Sequence, residues 1–175
     1  MKKPASRSAQ YPLMAEFAYS FNEYVQDSAD QVKKTFGAAV TNTGTATAVD
    51  PVSGAVEPGL TSGTAVVFDC IPMPVGAVIT GGELIVDTAY VGIGAGATIS
   101  VGIAGDTAAL ISAYDIDAAL VGARTALTLT KPLLCNAGQN VRLTVAGMAA
   151  TASAGKVRVR VQYTIDGRTS EVQVN

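Results

Sequence analysis

Side chains able to do chemistry are few in this chain, and their spacing limits what they can do. Histidine is absent, which removes the commonest general base and the commonest metal ligand. Asp115 and Asp117 stand two apart with Asp106 upstream, a spacing that could pair carboxylates around a cation. No third clustered ligand and no calcium-loop spacing accompanies them, so solvent-facing loop charges are the simpler reading. Gly92-Ile93-Gly94-Ala95-Gly96-Ala97 nearly spells a dinucleotide fingerprint. That chemistry needs a helix N-terminus after the glycines to hold a pyrophosphate. Ile99, Val101 and Ile103 announce a strand instead, so the stretch reads as a glycine-rich hairpin. Nucleophile elbow, Walker loop and zinc-ligand spacings are missing. No cofactor, metal or catalytic residue is expected, and the chain reads as a non-enzyme.

Charge offers more. Lys156, Arg158 and Arg160 alternate with Val157, Val159 and Val161, forming a basic ladder on one strand face. It is either a solvated face or a docking face for an acidic partner, where charge steers and registers contact. Lys2, Lys3 and Arg7 near the start, with Tyr11 beside them, invite the same two readings. The net charge is −2, and no basic patch is interleaved with aromatics, so nucleic acid is not an expected partner. Only 15% of residues are charged, below the usual ~25%, which suits either a protein that shows part of its surface to a partner or simply a β-protein rich in Ala, Gly, Thr and Val. Cys70 and Cys135 each keep phase with apolar neighbours and read as buried free thiols, with a disulfide as the alternative. No secretory signal and no membrane-spanning run is expected, so assembly in the cytosol with no membrane partner follows.

The elements that must position these groups are strands. Residues 156–165 alternate without a break: Val157, Val159, Val161, Tyr163 and Ile165 on one side, Lys156, Arg158, Arg160, Gln162 and Thr164 on the other. This is a half-buried strand with a wet face. Phe17, Tyr19 and Phe21 give a first strand with an aromatic face. Further strands are expected at 65–71, 78–88 (Leu84 and Val86 in, Glu83 and Asp87 out, a bend at Gly81-Gly82), 97–104, 125–130, and around Leu133, Cys135, Val141, Leu143 and Val145. Residues 107–123 carry helical spacing through Leu110, Ile111, Tyr114, Ala118 and Val121, and short helical turns or an irregular crossing are expected there. Residues 1–12 read as an extended arm, and 13–175 as one domain that includes a long loop or flap at 38–64. About eight short strands with turn signals every ~8–12 residues predict an all-β antiparallel sandwich of jelly-roll type.

The motifs also carry a resemblance. In order they are Phe17–Phe21, Phe68-Asp69-Cys70-Ile71-Pro72, residues 81–89, Ser100 to Asp106, Arg142-Leu143-Thr144-Val145, 154–163 and Gly167-Arg168. This order resembles the capsid decoration, or cement, proteins of tailed bacteriophages, with the 38–64 insertion a departure from that pattern. The resemblance implies a jelly-roll domain, present as trimers or dimers on the outer surface of the virion head. It would contact the major capsid protein and brace the shell, with no catalytic residues to transfer. Lys2, Lys3, Arg7, Tyr11, Lys156, Arg158 and Arg160 are then the candidate interface. The rival reading is a receptor- or glycan-binding module on a head fibre or tail, for which Tyr11, Tyr24 and Tyr90 would supply aromatics.

Overall fold

The computed structural model describes residues 12–23, 25, 26, 28, 33, 34, 47–49, 56–58, 65–129, 132–135, 139–149 and 152–165. Every regular element among them is a strand: β1 (Leu13–Ser20), β2 (Val25–Gln26), β3 (Lys33–Lys34), β4 (Thr47–Val49), β5 (Val56–Pro58), β6 (Val66–Ile71), β7 (Ala77–Val91), β8 (Thr98–Ile103), β9 (Asp106–Asp115), β10 (Arg124–Ala126), β11 (Leu133–Cys135), β12 (Val141–Ala146) and β13 (Ala154–Ile165). Lys2, Lys3, Arg7, Tyr11 and Tyr24 lie outside the described residues. So does the predicted 38–64 flap, apart from β4 and β5, which pair as an antiparallel ribbon.

Two antiparallel sheets form the sandwich. One runs β1-β13-β7-β10, with β11 also on β7; the other runs β6-β12-β8-β9. The sequence predicts about eight strands in this fold class, and the two sheets hold nine. The difference lies in one edge: β10 pairs with residues 83–85 and β11 with residues 77–79, successive lengths of the same long β7. From β6 onward the chain changes sheet at every connection except the β8–β9 hairpin and the β10–β11 step.

Alternation explains the core. Val157, Val159 and Val161 of β13 are fully buried, as are Val101 and Ile99 of β8 and Leu143 of β12. Tyr19 packs on Phe68 with ring centroids 5.2 Å apart, tilted by 52°, which joins β1 to β6 across the two sheets. Such a pair contributes about 0.5–1.5 kcal/mol beyond its buried area. Cys70 and Cys135 are free and buried, as the sequence phase predicts. The Cys70 thiol donates to the Val141 carbonyl at 3.3 Å, and burial pushes its pKa up to about 12, which suppresses the reactive thiolate.

Two expectations are corrected. Residues 106–115 are a strand, β9, in a hairpin with β8, and not helical turns. The register slips on either side of Val101, and Ala113 takes a left-handed φ of 47°, so the two-residue period is broken. Neighbouring Leu110 and Ile111 are then both buried, which imitates helical spacing. The 92–97 glycine stretch is not a hairpin: it carries the chain from β7 in one sheet to β8 in the other. Left-handed Gly92, Gly94 and Gly96 wrap it around Ile93, which is 1% exposed. A strand follows, as expected, so no helix N-terminus is offered to a phosphate.

Gly82 lies two residues past Thr80, which the pairing of β7 with β13 skips. It has a φ of 148°, and a Cβ there would collide with the Arg160 carbonyl and lie 2.7 Å from Leu127 Cδ1. The Leu127 N–H donates to the Gly82 carbonyl at 3.0 Å, tying the interrupted β10–β11 edge to this point. Gly105, in the β8–β9 turn, has a φ of 95° but open space around it. We expect Gly82→Ala to lower stability by about 2–4 kcal/mol, from overpacking and backbone strain together. Gly105→Ala should cost only about 1–2 kcal/mol, from backbone strain alone. Urea unfolding midpoints of the two variants check the difference.

Candidate functional site

The β13 register places the basic ladder in the middle of the five-stranded sheet, not at its rim. Arg160 stands opposite Glu16 of β1 on one side and Glu83 of β7 on the other. Its Nε donates to Glu16 Oε2, and its Nη1 lies 3.5 Å from Glu83 Oε1. Arg158 grips Asp87 with two donors, Nε to Oδ2 at 3.1 Å and Nη2 to Oδ1 at 2.5 Å, and reaches Glu16 at 3.4 Å. Arg124 of β10 donates Nη1 to both Glu83 oxygens, at 2.8 and 2.9 Å. The sign of charge therefore alternates strand by strand: positive on β10, negative on β7, positive on β13, negative on β1.

The sequence finds the cations but not their partners. Glu83 and Asp87 are visible as the wet side of β7. Glu16 is hidden by the aromatic pattern of β1, although it sits between inward Ala15 and Phe17 and so must face outward. Four cations (Arg124, Lys156, Arg158, Arg160) meet three carboxylates (Glu16, Glu83, Asp87), so the ladder is nearly neutralised. Ile85 lies between Arg158 and Arg124 on this wet face and is only 4% exposed. Arginines stand cross-strand on both sides of it, and stems of this kind commonly lie over apolar surface. At the edge of the ladder is a shallow groove of about 520 Å³, floored by Gly82 and flanked by Met14, Arg124 and Gln162. Met14 is 60% exposed there.

The other sequence candidates lie elsewhere. Asp115 Oδ1 accepts the Asp117 and Ala118 N–H groups at 3.0 and 3.2 Å, so this carboxylate closes a turn. Asp106 pairs with Ile103 and Asp115 with Thr98, at opposite ends of β8, so roughly 17 Å at ~3.3 Å per residue separates them. Among the described residues no three metal-ligating side chains cluster. Tyr90, one of the aromatics expected to be open for a glycan, is 5% exposed, with its ring where a Cβ on Gly155 would go. Burial pushes its hydroxyl pKa up. Tyr90 cannot stack on a sugar. Tyr114 is partly buried against the core.

No protein-family model matches the chain, and no curated protein matches it. Among solved structures the chain is similar to one in the cyanophage Pam1 capsid asymmetric unit, with a TM-score of 0.50 and 20% sequence identity. The match covers 94% of this chain and 97% of that one. At this identity the likeness is one of fold.

The ladder makes stability depend on pH. Hydrogen bonding to Arg160, then its charge and that of Arg158, hold the Glu16 carboxyl below its ordinary value, against the opposing effect of burial. Hydrogen bonding to Arg158 lowers Asp87 in the same way, helped by the charge of Arg158 and then of Lys156. A carboxyl whose pKa is lower in the folded state stabilises above its unfolded pKa. That contribution fades as pH falls through the ordinary carboxyl range, toward the lowered folded values. Urea midpoints should therefore drop as pH falls below about 4.5, the ordinary Glu value. Glu16→Gln and Asp87→Asn should each flatten that drop, and added salt should weaken it. A slope unchanged in both variants would place the pH dependence elsewhere.

Proposed function

We propose that this protein is a structural component of a phage virion that binds the outer face of the head and bridges major capsid subunits. The observation that carries this reading is a likeness of fold, nearly end to end in both chains, to a chain of a cyanophage capsid asymmetric unit. The connectivity supports it: regular exchange between the sheets from β6 to β13, with β1 and β13 adjacent, is what a jelly roll requires. In that reading the 1–12 arm, the 38–64 insertion and the face bearing Lys156, Arg158 and Arg160 supply the contacts. Because Arg158 and Arg160 are already paired, the face registers a partner through its alternating signs more than it attracts one by net charge.

Bridging works through valence. One small contact is weak, but an oligomer, trimer or dimer, that grips several shell subunits gains ~10²–10⁴-fold in avidity without new contacts. Two shell subunits can part only if the clamp between them is also stripped. The glycan-binding alternative loses Tyr90 to the core and keeps only Tyr11 and Tyr24 of its three aromatics.

The test uses heads purified without this protein. Added protein should co-sediment to a saturating, symmetry-related stoichiometry and should raise the temperature at which the heads release DNA. Removing residues 1–12 should reduce binding by at least ~10-fold, as expected for loss of one arm of a multivalent grip. Absence of co-sedimentation would overturn the bracing role, and undiminished binding after the deletion would remove the arm from it.

A further inference from the structure

The sandwich has four sheet edges, and three are protected. The β6 edge is approached by Ser28, whose N–H donates to the Val67 carbonyl at 2.6 Å. The β9 edge is bent by left-handed Ala113 and receives the Thr128 N–H on the Leu110 carbonyl at 2.7 Å. The fourth position of the large sheet is split between β10 and β11, three residues each. Short, bulged or covered edges are the usual defences against unwanted strand pairing.

Among the described residues β1 has none of them. It is eight residues long, contains no Lys or Pro, and pairs with β13 without a register slip. Its backbone phase follows from the turn that ends it. The Phe21 N–H donates inward to Gly155, whereas the Ser20 N–H donates to its own turn at Glu23 Oε2. The alternation then turns the N–H and C=O of Met14, Glu16 and Ala18 toward the open side. Among the described residues no group bonds to them there. The side chains of the same three residues stand on the ladder face, where charge alternates from strand to strand and β1 is negative at Glu16. A strand added beside β1 would continue the pattern with a cation opposite Glu16.

We infer that the open edge of β1 takes, as an added antiparallel strand, the segment 3–9 of a neighbouring copy of this chain. Lys3, Ala5, Arg7 and Ala9 share one side of an extended segment. With Arg7 opposite Glu16, Ala5 falls opposite Ala18 and Ala9 opposite Met14. Pro4, which has no N–H to give, then points away from β1, the position a sheet edge tolerates. The small alanines let Arg7 reach Glu16 over an uncrowded surface. A second β1 is a poorer occupant: the two-fold register centred on Glu16 sets it against its own copy, and the one centred on Phe17 sets it opposite Ala18, with no cation to meet it. The same chain's own segment is also poorer. Leu13 is already paired to Tyr163, so reversal would have to occur around Gln10 and Tyr11, and the residue before Pro12 is biased to extended geometry.

The inference is independent of shell binding and is read without shells. Native mass spectrometry of the full chain should show an oligomer. Lys3→Glu with Arg7→Glu, which leaves the described sheets untouched, should raise its dissociation constant at least tenfold while circular dichroism stays unchanged. Ala5→Cys and Ala18→Cys chains, mixed and oxidised, should link to each other through a disulfide. A strict monomer, an oligomer indifferent to the charge reversal, or an Ala5→Cys/Ala18→Cys double variant that closes only within one chain would overturn it. A chain that exchanges strands yet ignores shells would end the bracing role and leave the exchange standing.

Discussion

Val157, Val159 and Val161 face the core while Lys156, Arg158 and Arg160 face solvent, and the rest of the sandwich is arranged around that two-residue alternation. β13 lies between β1 and β7, so its phase sets theirs. A slip of one residue would turn three cations inward, each at a cost of several kcal/mol, and three valines outward, each losing about 1.5–3 kcal/mol of burial. The penalty exceeds the whole stability of an ordinary domain, about 5–15 kcal/mol. Register in the large sheet is therefore fixed by one strand, and Glu16, Glu83 and Asp87 come opposite the arginines as a consequence.

The ion pairs themselves contribute little to holding the fold. The carboxylate Glu16 and both ladder arginines are about a third exposed, and water and salt screen pairs of this kind until little net stabilisation remains. Their effect is on pattern. Strands of alternating sign make the outer face almost neutral overall but strongly ordered locally, and a like-charged strand added at either side is penalised. An edge with free backbone groups and a defined sign is selective in a way that an apolar patch is not.

Legibility in the sequence followed the same physics. β13 and β12 could be read directly, because each buries one face in alternation, and so could β6 as far as Cys70, where a slip in its pairing buries Cys70 and Ile71 together. β9 could not: its bulge at Ala113 and its slipped pairing with β8 place Leu110 and Ile111 on the inside together, and a one-dimensional pattern cannot separate that from a helix. The split edge was half legible. Arg124–Ala126 and Leu133–Cys135 each carry a strand signal, but only the length of β7 shows that they occupy one place in the sheet. The ladder cations were visible as a run, whereas their partners lie 71 to 144 residues away along the chain. Tyr90 misled for a similar reason: it looks available because its neighbours are small, yet smallness at Gly155 is what admits the ring.

The register also sorts the surface into two ends. The 92–97, 116–123 and 147–153 connections gather where β1 ends, and they expose Leu120 and Val121, at 77% and 66%. The 72–76 and 104–105 turns gather at the other end, where β1 begins and β13 finishes. An added strand beside β1 that runs antiparallel to it must therefore enter from the first end and leave toward the second. The exposed Leu120–Val121 turn lies across the sheet from that edge, where the Gly122 N–H donates to the Val86 carbonyl and the Val86 N–H to the Ala123 carbonyl on the β10 side of β7. Edge and face thus present different chemistries side by side, backbone groups along β1 and alternating charge across β10, β7, β13 and β1.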